Sequence, residues 1–183
     1  MSKNLERSIT IVFSIATVFF ILAMSLNEGF FNWTFARHHN VMSWYIRPVI
    51  LIPFIYFSYK KQPVGISATI FLLLTSMFWF PEPALADPAV SEFLAMEKEY
   101  LTSGWSMVKV FFAFIVVFSM AGLSYALWQR NKKAGIVILV LIAAGKVAWS
   151  VAEGGSSGAS IILPAAIGLA VCTAFVYLVV KRK

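Results

Sequence analysis

Charge is what this chain has least of. Only 13% of its 183 residues are Asp, Glu, Lys or Arg, about half the share that coats a typical soluble domain. Cysteine is nearly absent too. Cys172 stands alone, which excludes an internal disulfide and any cysteine metal cluster. The two histidines, His38 and His39, have no third ligand at a suitable metal spacing. No Walker motif, dinucleotide fingerprint or HExxH string occurs, so no cofactor site is legible. What is abundant is apolar: 60% of residues are hydrophobic and 16% aromatic, with mean hydropathy +0.82. Disordered chains are polar and poor in aromatics. The composition therefore points to an all-α, polytopic integral membrane protein.

A helix needs about 20 mostly apolar residues to cross the hydrocarbon core. Six such stretches are expected, over 8–26, 41–59, 64–80, 105–128, 134–152 and 159–180. They form one transmembrane domain. Helix is the expected form because the backbone must satisfy its own polar groups in lipid. A β-barrel would show alternating segments, and continuous runs such as 110–120 do not alternate. The first stretch is too long for a signal-peptide core and has no clear small-x-small site after it, so it is read as a retained span.

Ten of the fifteen basic residues fall on one side of this topology: Lys3, Arg7, Lys60, Lys61, Arg130, Lys132, Lys133, Lys181, Arg182 and Lys183. Basic loops stay cytoplasmic, so both termini are expected inside a plasma membrane, most simply a bacterial inner membrane. The net charge of +7 is then mainly a topology signal, with some attraction to anionic lipid. Nucleic acid is a poor partner, because no soluble domain presents these split charges. Of the acids, only Glu6 lies inside. Glu28, Glu82, Asp87, Glu92, Glu97, Glu99 and Glu153 fall outside or at the outer boundary.

The first outer loop, 27–40, is rich in Phe and Trp, which prefer the headgroup layer. In the second, Asp87 reads as an N-cap with Pro88 at the first helical position. Val90, Phe93, Leu94 and Leu101 then recur at helical spacing. A short amphipathic helix over 88–102 is expected at the outer interface. The hairpins 41–82 and 105–153 suggest a parallel repeat: Gly65 precedes Trp79, and Gly135 precedes Trp149, by the same interval. Small-residue stripes (Ala144, Ala148, Ala152; Ser160, Pro164, Gly168, Cys172) predict close packing of the last two spans. Pro164 should kink the last one.

Three basic residues fall within spans: Arg47, Lys109 and Lys146. A charge at the bilayer centre costs about 2.5–3.5 kcal/mol on insertion scales. Lys146 is the deepest, roughly 10 Å from the outer end of its span at about 1.5 Å per residue. Glu153 lies two turns further along and Trp149 between them, so a Lys146–Glu153 link is expected. Snorkelling to the headgroups is the plain alternative for these cations. The functional reading is that Arg47, Lys109 and Lys146 converge on an outward-facing pocket, with Glu82 and Glu153 balancing the charge and Trp149 beside it. The glycine-rich start of the last span would add N–H groups for an anion.

Two resemblances bear on activity. The segment Gly155-Ser156-Ser157-Gly158 resembles the short GxSG string of rhomboid-like intramembrane proteases, but the required later histidine is missing. The length and helix count are similar to those of the substrate-binding subunits of energy-coupling-factor vitamin transporters. Their docking stripe on the first helix is replaced here by Thr10, Ser14 and Val18. The expected function is binding or transport of an anionic small molecule or lipid headgroup. The alternatives are a membrane enzyme using Glu82 or Glu153 on a lipid-linked substrate, and a non-catalytic subunit of a membrane complex. The expected partners are the bilayer, such a ligand, and a second copy or a partner membrane subunit.

Overall fold

The computed structural model describes residues 2–180. Lys181, Arg182 and Lys183, which contribute to the orientation signal, lie outside the described residues. The regular structure is all helix, with no strand among the described residues. It divides into two compact units, Met1–Leu85 and Ala86–Lys183.

In the first unit, α1 (Lys3–Leu26) starts at Ser2, whose hydroxyl accepts from Leu5 N–H at 3.3 Å. The segment expected as a surface loop is instead helix α2 (Glu28–His38). Asn27 caps it, its side-chain oxygen accepting from Phe30 N–H at 2.9 Å. Its aromatics then find partners within the unit. Phe20, Phe30, Trp33 and Phe78 form one ring cluster with centroids 5.3–6.3 Å apart. After a 92° bend, α3 (Met42–Tyr59) runs to a tight turn and α4 (Pro63–Thr75) returns. α4 packs on both α1 and α3. Gly65 permits the second contact, since a Cβ there would lie 2.1 Å from the Phe57 ring.

The second unit opens with α5 (Pro88–Thr102), within the limits read from the sequence. Asp87 accepts from Ala89 N–H at 2.8 Å and from Val90 N–H at 3.4 Å. Val90, Phe93 and Leu94 are buried, whereas Leu101 is exposed. α6 (Met107–Trp128) and α7 (Lys132–Gly158) form a hairpin, and α8 (Ile162–Val179) follows a break at Gly155, where φ is 55°. α7 and α8 run antiparallel: Lys132 Nζ donates to Tyr177 C=O at 2.9 Å, and Gly135 faces Val176. Gly158 tucks against the Ser150 carbonyl, where a Cβ would lie 1.9 Å away.

The packing of α7 on α8 agrees with only part of the stripe expectation. Pro164, Gly168 and Cys172 are buried at four-residue spacing, but Ala144, Ala148 and Ala152 are exposed. α7 uses Gly135, Leu139, Ser150 and Ser157 instead. Pro164 sits in the first turn of α8, where a missing N–H breaks no helical bond, so no kink is required there.

The two hairpins turn in the same way. Lys61 and Arg130 both have φ of 58°. The next residues, Gln62 and Asn131, donate N–H back to Phe57 and Ala126 at 2.9 and 2.8 Å. This left-handed cap satisfies the last carbonyls of α3 and α6.

By length and composition, three stretches can cross a membrane: Lys3–Leu26, Met107–Trp128 and Lys132–Val179. A fourth is added if the bent pair α2–α3 counts as one. α4 falls short of its expected length because hydroxyls compete for its last carbonyls. Thr75 Oγ1 donates to Phe71 C=O at 3.0 Å and Ser76 Oγ to Leu73 C=O at 2.6 Å, and the chain tightens into a 3-10 turn over Ser76–Phe78.

Candidate functional site

In the second unit two lysines converge on α5. Lys109 lies in the first turn of α6. Its ammonium donates to the Tyr100 carbonyl, to Ser103 Oγ at 2.8 Å and to the Gly104 carbonyl at 2.8 Å. An ammonium has three N–H donors, so these acceptors use all of them. Lys109 closes the C-terminal end of α5, where cations are favoured by the unsatisfied carbonyls.

Lys146 is placed differently. It projects from the middle of α7 to α5, where it pairs with Glu97 at 2.7 Å. The expected link to Glu153 does not form. Two helical turns separate those positions by about 10 Å, whereas α5 brings Glu97 directly across. Glu153 is exposed. Trp149 does belong to the site, with the Lys146 ammonium 4.7 Å from its ring centroid and 5.4 Å from that of Phe93. Tyr100 meets Trp149 edge-on at 5.2 Å, which joins the Lys109 and Lys146 ends of the site. Two buried hydroxyls nearby, Tyr100 Oη and Ser150 Oγ, have no hydrogen-bond partner.

Arg47 and Glu82 belong to the first unit, so each is described within it. Glu82 is exposed in the chain after the 3-10 turn. Arg47 is half-buried on α3 and donates to His38 Nε2 at 3.4 Å. A guanidinium cannot accept, so Nε2 is the acceptor and Nδ1 carries the hydrogen. That hydrogen goes to Ser43 Oγ at 2.8 Å, and the Ser43 hydroxyl returns to the His38 carbonyl at 3.4 Å. Ser43 Oγ thus accepts a hydrogen bond from the imidazole rather than donating one to it, the reverse of an activated nucleophile. His38 is only 2% exposed. α2 carries it into the packing against Ser43 and Trp44 of α3.

The expected site does not include Glu97, Phe93 or Tyr100, nor His38 as a partner of Arg47. Phe93, Glu97 and Tyr100 lie at i, i+4 and i+7, one face of α5, and that spacing was a usable signal. A groove of about 740 Å³ along α7 and α8 lies elsewhere. Ala166, Leu169, Ala170, Thr173 and Tyr177 line it, none of them charged. Comparison with known protein families, characterised proteins and solved structures finds no match for this chain.

Proposed function

We propose that this chain is an integral membrane protein that binds a phosphate- or carboxylate-bearing ligand, a lipid headgroup or small anion, where α5 lies on α7. One observation carries the reading. Lys146 is a half-exposed ammonium beside two aromatic rings, and Glu97 is its only hydrogen-bond partner among the described residues. Two of its donors remain available to a ligand oxygen. Lys109 serves as the brace that holds α5 in place, and Trp149 as a wall. Glu153, exposed two turns further along α7, adds negative charge at that end of the helix.

The topology proposed with it has six spans and both termini cytoplasmic, in a plasma membrane such as a bacterial inner membrane. Support comes from the antiparallel return of α8 on α7, which makes two arms of the stretch 132–179. Lys61 and Arg130 at matching turns support the proposed hairpin repeat and a basic inner face.

The test is a melting curve of the purified full-length protein against short-chain lipids, phosphates and carboxylates, since a ligand selective for the folded state raises the midpoint. At least one class should stabilise the wild type and not Lys146→Met. If every candidate leaves the midpoint unchanged and another chain co-purifies tightly, the subunit reading replaces this one. Turnover of a lipid-linked substrate that Glu153→Gln or Glu82→Gln stops would favour the enzyme.

A further inference from the structure

The Lys146–Glu97 pair is unsaturated on both members. Lys146 uses one donor, to Glu97 Oε1, and no other described group donates to Glu97. Their side chains are 38% and 18% exposed, so both reach the surface of the unit. Two N–H donors and a carboxylate oxygen therefore stand side by side and open. The part-exposed ring of Trp149 adjoins them, and such a ring attracts a second cation.

The local charge argues against a simple anion. The segment 87–102 has four acids, Asp87, Glu92, Glu97 and Glu99, against Lys98 alone. Lys109 and Lys146, brought against it, still leave one net negative charge. An anion approaching Lys146 meets an ammonium already paired with Glu97, on a segment whose net charge is negative. A ligand with both signs meets no such barrier. Its phosphate takes the spare donors of Lys146 and its ammonium takes the spare oxygen of Glu97. The four charges then alternate around a ring, with like charges on the diagonals, and the protein pair stays intact.

Building on the headgroup reading above, we infer that the ligand class is the phosphoethanolamine zwitterion, a phosphate with a primary ammonium two carbons away. A primary ammonium is specified because Glu97 offers an acceptor, and a quaternary ammonium has no N–H to give it. The same chemistry occurs in a membrane lipid and in free phosphoethanolamine.

The experiment titrates the full-length protein in detergent, reading tryptophan fluorescence and melting midpoint. The probes are short-chain phosphatidylethanolamine, its N-acetylated form, short-chain phosphatidylglycerol and free phosphoethanolamine. A charged hydrogen bond predicts phosphatidylethanolamine binding about 10-fold or more tighter than the N-acetylated lipid or phosphatidylglycerol. Glu97→Gln still accepts from Lys146, so α5 stays docked, and the preference should collapse with phosphatidylglycerol affinity unchanged or raised. If that variant does not fold, the N-acetyl comparison on the wild type decides alone. Phosphatidylglycerol equal to or tighter than phosphatidylethanolamine overturns the zwitterion while leaving the headgroup reading intact. Binding of neither overturns both. Competition by free phosphoethanolamine at the lipid's own affinity identifies a soluble ligand, and its failure to compete identifies a lipid; both support the class.

Discussion

Gly158→Ala tests whether α8 returns along α7 as closely as the structure has it. The φ of Gly158 is −62°, so alanine meets no backbone strain, and the effect is steric alone. The new methyl would lie 1.9 Å from the Ser150 carbonyl oxygen and 2.5 Å from its carbon. Carbon–oxygen contacts relax at about 3.3 Å or beyond, so the two arms must part by about 1.4 Å. Backbone gives way less readily than a flexible side chain, and overpacking of this kind costs about 1–3 kcal/mol. For a chain of this size each kcal/mol is about 2–4 °C of melting midpoint. A fall of roughly 5–10 °C is expected from the upper part of that range. Gly145→Ala is the control: nothing lies within 4 Å of its Cβ position, and alanine is worth up to about 1 kcal/mol over glycine in a helix. A Gly158→Ala midpoint within a degree of wild type would refute the close return. So would an equal fall in Gly145→Ala.

Other outcomes follow from the same contacts. Lys109→Met removes the three bonds that close α5, and amide exchange over residues 99–104 should accelerate, with about 1–2 kcal/mol lost. Asp87→Ala removes the cap at the other end of α5, and the melting midpoint should fall in line with about 1 kcal/mol. Ser43→Ala strands the His38 Nδ1–H in a buried site, at a cost of about 1–3 kcal/mol by thermal melting. Single cysteines at Lys3, Lys61 and Asn131, in a Cys172→Ser background, should label only from the cytoplasmic side, and one at Ala84 only from outside. Any reversal among the four sites would sink the proposed orientation.

Some of this was legible in the sequence, and the reasons are local. α5 announces itself because Asp87-Pro88 is a complete start signal and Val90, Phe93 and Leu94 keep one face apolar. α2 was hidden because its aromatics are spread around the helix and resemble an interfacial loop. His38 was hidden with it. The early end of α4 comes from Thr75 and Ser76 hydroxyls bonding their own helix, a choice that proline spacing does not report. Lys146 and Trp149 could be singled out by charge and depth. Glu97, 49 residues away, could be matched to Lys146 only once α5 was docked on α7. Arg47 was visible as a misplaced charge, but its ring nitrogen partner required the bend between α2 and α3.

The matched turns at Lys61 and Arg130 have a consequence for how the hairpins are specified. A side chain with φ near 58° sits about 1–2 kcal/mol above its relaxed conformation, and glycine would remove that penalty at once. Each hairpin nevertheless places a long cation at the one corner where a bare backbone would be most comfortable. Glycine at both corners should therefore yield a protein that melts higher yet inserts less faithfully, with folding and insertion pulling the same two residues in opposite directions.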